Sequence, residues 1–186
     1  MHILQQKIIS RLINRPGARF AELKPMGIES NHYVYHLKSL IRDGLVKKSG
    51  NLYRLTAKGK QLVDKLSLSD FRERIQPKIV TMIACKNDRG EFLLHRRARQ
   101  LFLGTVGFPY GKIHLGETIL AAAERELKEK TGVSAKLKHR GDVYLTAYEN
   151  NDLLSQTLCH IFTGGHSTEK LIAKSDKGDC FWGKIA

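Results

Sequence analysis

Three of the four glutamates in GKIHLGETILAAAERELKEKTGV, residues 111–133, and its one arginine could do chemistry together: Glu117, Arg125, Glu126 and Glu129. Glu126 and Glu129 are three apart, so a helix carries them on one face. Glu117 lies just before that helix. Carboxylate oxygens gathered in this way bind hard cations such as Mg²⁺ or Mn²⁺, and a bound cation can activate a water. Arg125, four residues before Glu129, can pair with it. The competing reading is bland: AAAERELKEK by itself is an exposed helix laced with i,i+4 pairs. One letter cuts across the carboxylate set. Lys130 lies about 40° from Glu126 on the helical wheel, where its ammonium can pair with that glutamate.

The elements around these residues decide between the two readings. Gly111 stands six before Glu117, and Gly132 follows the helix. Gly111, Glu117, Arg125, Glu126, Leu127, Glu129, Gly132 and Val133 together reproduce the spacing of a Nudix box: a glycine loop, a helix and a helix-ending glycine. Six specified polar or glycine letters at average usage arise by chance on the order of once in ten million starts, so the spacing, not the helix, carries the resemblance. FLLHRRA, residues 92–98, is similar to the strand that leads into the box, and it is paired with IVTMIACKN around a turn at 87–90. The resemblance covers about residues 77–186 and implies an α/β/α-sandwich Nudix domain. It also implies Glu117, Glu126 and Glu129 as ligands of Mg²⁺ or Mn²⁺, with Glu126 and Glu129 catalytic. Gly111, Arg97 and Tyr110 are implied at a bound substrate, a nucleoside diphosphate linked to another group.

The same resemblance marks departures. Where active family members carry a glutamate, usually a direct metal ligand, this chain has Lys130. At ~5 Å and an effective dielectric near 20, one positive charge against a divalent ion costs about 6–7 kcal/mol before screening and relaxation. Metal affinity is therefore expected to fall sharply. Tyr110, in FPYGK, replaces a usual glycine and can either stack on a base or cover the turn. Glu149, Asp152 and Asp179 are the candidates for a late acidic ligand, none with a motif around it. His95, His114, His139, His160 and His166 show no ligand spacing and read as structural or exposed. Trp182 resembles the strand tryptophan of the family. The sequence ends soon after it, about where a last helix is usual: either the chain is cut there or the domain is short, with one face uncovered.

The first seventy residues are a different kind of sequence. HILQQKIISRLI has helical apolar spacing, ended by Pro16-Gly17. FAELKP is a short second helix. In SNHYVYHLKSLIRDGLV, Ser30 or Asn31 can cap a helix whose inner face is Tyr33, Val34, Leu37, Leu40 and Ile41, with Gly44 at its stop. LVKKSGNLYRLT reads as a two-stranded hairpin around 49–51, and AKGKQLVDKL closes with a fourth helix. HLKSLIRDGLVKK…YRLTAKGKQL resembles the winged-helix repressors of bacteria and archaea over residues 1–67, which implies a winged helix-turn-helix DNA-binding domain. The outward face of a recognition helix would then carry Asn31, His32, Tyr35, His36 and Lys38 toward bases. The wing would carry Lys47, Lys48 and Arg54 toward phosphates. Residues 68–76, polar and without a strand period, read as a linker. Pro77 suits the first position of a strand.

Bulk properties agree with two modules. The net charge is +14, with +8 on residues 1–70 and +6 on the longer remainder. A basic balance favours polyanions and phosphates as partners. No run of 18 apolar residues and no signal-peptide core occur, so no membrane span and a cytoplasmic location are expected. Cys85, Cys159 and Cys180 fit buried thiols rather than disulfides. The reading that results is a DNA-binding transcriptional regulator whose Nudix domain binds a nucleotide-like or phosphorylated ligand with weak or no hydrolysis. A Mg²⁺-dependent hydrolase with a basic accessory domain is the alternative, a two-module interaction protein the third, and homodimerisation is left open.

Overall fold

A computed structural model of the chain describes residues 1–67, 69–165 and 171–185. Two compact units divide it between Ile75 and Gln76. The first contains α1 (Ile3–Ile13), β1 (Ala18–Arg19), α2 (Phe20–Leu23), α3 (Ser30–Arg42), β2 (Val46–Ser49), β3 (Leu52–Leu55) and α4 (Ala57–Lys65). Ile8, Ile9 and Leu12 of α1 recur at helical spacing and meet Tyr33, Leu37 and Leu40 of α3 in one core. Tyr33 is fully buried, and its hydroxyl donates to the Phe20 carbonyl at 3.1 Å. α3 ends where Gly44 turns left-handed (φ 72°). Its amide bonds Ile41, and that of Leu45 bonds Leu40, the doubled closure that a glycine after a helix allows.

Several details differ from expectation. The residue capping α3 is Glu29, not Ser30 or Asn31, and it makes no side-chain cap. Ile41 is 37% exposed, so the inner face narrows toward the helix end. The hairpin is joined by β1, which pairs with β3 through Ala18–Tyr53 and Arg19–Leu52, giving a three-stranded sheet in the order β1-β3-β2. Two residues carry no strand period, so β1 had no signal of its own. Residues 69–74 fold back on this unit. Leu66 bridges Glu73, Arg74 bonds the Lys65 carbonyl, and Phe71 packs against the core.

The second unit is a mixed sheet with one helix on it among the described residues. Its elements are β4 (Lys78–Lys86), β5 (Phe92–Arg97), β6 (Val106–Gly107), β7 (Tyr110–Lys112), α5 (Ile119–Thr131), β8 (Leu137–Glu149), β9 (Asp152–Gly165), β10 (Lys174–Ser175) and β11 (Gly178–Gly183). The strand order is β10-β11-β5-β4-β9-β8, with β6 on β5 and β7 on β4. β4 and β9 run parallel. β4 and β5 pair only at Lys86–Phe92 and then part, so that β7 bonds β4 at Val80–Met82. α5 packs Ala123 and Leu127 on Ile83, Cys85, Leu93 and Phe162. The expected sandwich thus has one helical layer among the described residues; on the other face of the sheet lies a cleft. Cys85, Cys159 and Cys180 are free and buried. Among the described residues no helix is long and apolar enough to cross a membrane.

Candidate functional site

α5 brings the carboxylates together. The Thr118 hydroxyl accepts from the Ala121 amide at 3.1 Å, and Gly132 closes the helix in the left-handed region (φ 73°). Small residues, Ala122 and Ala123, let the helix lie close on the sheet, and this draws Glu126 inward until it is 7% exposed. Directly over it is Gly111. A Cβ there would stand 1.8 Å from the Glu126 carboxyl carbon, so the glycine is required by the approach of that side chain.

Arg125 is the hub of the cluster. Its Nε donates to Glu117 Oε1 at 2.6 Å, and a terminal nitrogen donates to Glu117 Oε2 at 2.9 Å and to the Lys112 carbonyl at 3.0 Å. The other terminal nitrogen donates to Glu126 Oε1 at 2.8 Å. The fork geometry suits guanidinium and carboxylate. The expected partner, Glu129, is the weakest of the three, 3.8 Å away, because the fork is already spent on the other two. Held by Arg125 and by the His114 amide, the Glu117 carboxyl falls to about 2, and Glu117, joined by Glu126, pushes Arg125 up.

Lys130 occupies the middle of the site. Its ammonium lies 3.2 Å from Glu126 Oε2, donates to the Tyr110 carbonyl, and sits 5.1 Å from the Tyr110 ring centroid. Burial lowers the Lys130 pKa, while Glu126 works against that shift. Glu129 is half-exposed and meets Lys177 at 3.4 Å. Each of the three carboxylates therefore already faces at least one cation. Electrostatically the cluster is satisfied from within.

Gly111 sits between Tyr110 and Lys112, whose side chains point to the opposite face of the sheet, into a cleft of about 560 Å³. Arg97 lines it too, donating to the Leu101 carbonyl at 2.9 Å and to the Tyr110 hydroxyl, with its guanidinium 5.1 Å from the Tyr110 ring. Among the described residues Lys78, Arg97 and Lys112 are the charged ones lining it, and no carboxylate does. Such a basic, partly apolar cleft favours anions. Arg97 and Tyr110 are thus together, while Gly111 and the glutamates lie on the α5 side. Glu149 and Asp152 are cross-strand partners at the tip of the β8–β9 hairpin. Asp179 pairs in register with Arg96 on β11. None of the three lines the cleft.

In the first unit Asn31, His32, Tyr35 and Lys38 are exposed on α3, as are Lys47, Lys48 and Arg54 on the hairpin. His36 is not on that face. It is 7% exposed and stacked on His2, ring centroids 4.1 Å apart. The cap residue of α1 covers it, a tertiary contact that helical spacing alone does not register. The hairpin cations divide between two faces. Lys47 and Arg54 are cross-strand partners, whereas Lys48 pairs with Tyr53 and sits 6.0 Å from its ring.

The histidines hold a surprise for their spacing. His139 and His160 converge on Asp142, at 2.9 Å and 2.6 Å. They were expected to be structural or exposed without ligand spacing. The register of the β8–β9 hairpin, which spacing did not reveal, brings them together. His95 is buried, His114 is exposed beside Glu117, and His166 lies outside the described residues.

Comparison with known proteins places this geometry. The family model for the NUDIX domain matches residues 76–182. An ADP-ribose pyrophosphatase of Methanocaldococcus jannaschii is 31% identical over 100 residues, covering 52% of this chain. The match spans 59% of that relative, under two thirds of its length. Among solved structures, the Nudix domain of Shewanella oneidensis NrtR, in complex with ADP ribose, is similar with a TM-score of 0.50 at 19% identity, over 69% of this chain and 82% of that one. A MutT protein from Methanosarcina mazei Go1 is similar with a TM-score of 0.48 at 25% identity, over 60% of this chain and 80% of that one. The NrtR likeness, at its identity, is one of fold.

Proposed function

The chain belongs to the Nudix family, and from that premise we propose that it is a DNA-binding regulator whose Nudix domain senses a nucleotide-like or phosphorylated ligand with weak or no hydrolysis. The observation that carries this reading is Lys130. Its ammonium bridges the Glu126 carboxylate and the Tyr110 carbonyl, so a fixed cation already neutralises the carboxylate most deeply placed in the box. Glu117 is likewise engaged by Arg125, and Glu129 by Lys177. Family members generally use Mg²⁺ or Mn²⁺, yet these residues do not fit a tightly held divalent ion. The box would have to surrender ion pairs before it could ligate one.

Ligand sensing is supported by the cleft on the opposite face. Lys78, Arg97 and Lys112 offer charge to phosphates, and Tyr110 offers a ring. The NrtR Nudix domain was solved with ADP ribose, which makes a nucleoside diphosphate linked to a sugar the first ligand to try. DNA binding rests on residues 1–67 read as a winged helix-turn-helix. Its support is the exposed set Asn31, His32, Tyr35 and Lys38 on α3, the hairpin cations, and the +8 charge of residues 1–70.

The alternative is a Mg²⁺-dependent hydrolase of nucleoside-diphosphate-linked substrates, and the specific observation favouring it is the 31% identity to an ADP-ribose pyrophosphatase. A hydrolysis panel separates the two. ADP-ribose, nucleoside-diphosphate sugars, dinucleotides and nucleoside triphosphates are incubated with millimolar Mg²⁺ or Mn²⁺. The regulator reading expects turnover far below the roughly 1–1,000 per second of ordinary enzymes. An ordinary rate on any member of the panel would establish the hydrolase instead.

A further inference from the structure

We propose that His139, Asp142 and His160 form a second cation site, independent of the Nudix box, for a zinc-like divalent ion. The three lie on two strands. Asp142 and His160 are register partners across β8 and β9. His139 is three residues before Asp142, and in a regular strand odd spacing puts side chains on opposite faces. A bulge between His139 and Gly141 corrects this. His139 pairs with Phe162 and Gly141 with Ile161, leaving Arg140 as the extra residue. The bulge turns the His139 ring onto the Asp142 face. Re-aiming a side chain beside a site is a common use of a bulge.

The result is convergence of ligand atoms. His139 Nε2 is 2.9 Å from Asp142 Oδ1, and His160 Nδ1 is 2.6 Å from the same oxygen. One potential ligand atom from each residue lies within 4.8 Å of the other two. Around a tetrahedral zinc with bonds near 2.0–2.2 Å, ligand atoms stand ~3.4 Å apart. The present spacing needs only a modest opening, and the half-exposed Asp142 and His139 are free to provide it. Without metal, the carboxylate holds both imidazoles by hydrogen bonds. With metal, the facing nitrogens must offer lone pairs, so each neutral ring carries its proton on the far nitrogen.

The donor set selects the ion. Two imidazoles and one carboxylate suit Zn²⁺ and its neighbours in the first transition row, whereas Mg²⁺ prefers oxygen alone. Three protein ligands leave a fourth position for water or an exogenous group. The position is also separate from the box. Asp142, His160, Thr81 and Gly111 are register partners on consecutive strands, their side-chain positions on the α5 face. At ~4.8 Å per strand, His160 is about 10 Å from Gly111, and no residue is shared. Thr81, between them, is fully buried with a hydroxyl that has no partner among the described residues, so the same row of the sheet holds a further polar atom not yet satisfied.

The test is calorimetry of the full chain with Zn²⁺ in excess Mg²⁺, with Co²⁺ absorption as a second readout. One Zn²⁺ per chain is expected, with affinity falling at least tenfold in His139→Ala and in Asp142→Asn. Both positions are half-exposed, so these variants should fold, and circular dichroism checks that they do. Glu129→Gln should bind Zn²⁺ as the parent does. Visible Co²⁺ bands should disappear in His139→Ala. Absence of Zn²⁺ binding by the parent would overturn the proposal. So would unchanged affinity in both variants, since any zinc would then be held elsewhere.

Discussion

Lys130 concentrates the residue-scale question, because one side chain sets the charge of the Nudix box. Replacing it by glutamate removes the internal cation and adds a carboxylate about one helical turn from Glu126. Arg125 still spans Glu117 and Glu126, so the gain is partial. Calorimetry with Mn²⁺ should show binding tighter by roughly tenfold or more in Lys130→Glu, about 1.4 kcal/mol. Equal affinity in both proteins would place the barrier in Arg125 instead. Glu117 supports a second expectation. Its carboxyl is depressed from 4.5 to about 2, chiefly by Arg125. A carboxylate with a depressed folded pKa contributes stability fully above its unfolded value and loses it as pH falls toward the folded one. The melting-temperature gap between the parent and Glu117→Gln should therefore be widest above pH 4.5 and should close toward pH 2. A gap that ignores pH would mean that packing, not charge, makes the difference. His36 has the same sign for a different cause. Burial and the neighbouring His2 and His32 lower its pKa, so its protonation opposes folding as pH drops below its ordinary value.

Elements divide by how much of their determination is local. α1, α3 and α5 were legible because apolar residues recur at helical spacing and termini carry their own chemistry, Gly44 and Gly132 above all. The β4–β5 hairpin was legible from its turn residues. The carboxylate cluster was legible as a set, since Glu117, Glu126 and Glu129 do meet on Arg125. What stayed hidden depends on tertiary register. The choice of Glu117 over Glu129 by the Arg125 fork follows from where the loop before α5 lies. The burial of His36 follows from the start of α1, thirty-four residues away. The convergence of His139 and His160 requires a long hairpin and a bulge. The hairpin of β2 and β3 yields the prediction for this scale. Lys47 and Arg54 share one face, and Lys48 lies on the other. If the proposed wing tracks DNA with the Lys47–Arg54 face, Lys47→Ala and Arg54→Ala should each flatten the salt dependence of DNA binding by about one unit of slope, while Lys48→Ala should alter it less. Asn31→Ala should instead narrow the gap between specific and random DNA. Salt-independent behaviour of the parent on every duplex would make this unit a docking module.

At the scale of the whole chain, the proposed regulator must transmit the state of one unit to the other. The covalent route is short. Residues 71–74 are bonded back onto the first unit, and β4 begins at Lys78, so few residues connect the two. A ligand that only fills the cleft cannot change DNA affinity. It must bind differently to the DNA-bound and DNA-free forms. Linkage then makes the effect reciprocal: a ligand that alters DNA affinity tenfold has its own affinity altered tenfold by DNA, about 1.4 kcal/mol of coupling. The measurement is a pair of titrations of the full chain at fixed salt, operator DNA with and without saturating ADP-ribose, after calorimetry has shown that ADP-ribose binds. A shift of about tenfold is expected, and the converse titration, ADP-ribose into the DNA complex, must return the same factor. Substituting Arg97→Ala, which removes a cation from the cleft and leaves α3 and the hairpin untouched, should abolish the shift while preserving DNA affinity in the absence of ligand. Identical DNA affinity with and without bound ADP-ribose would leave the two units as independent binders on one chain.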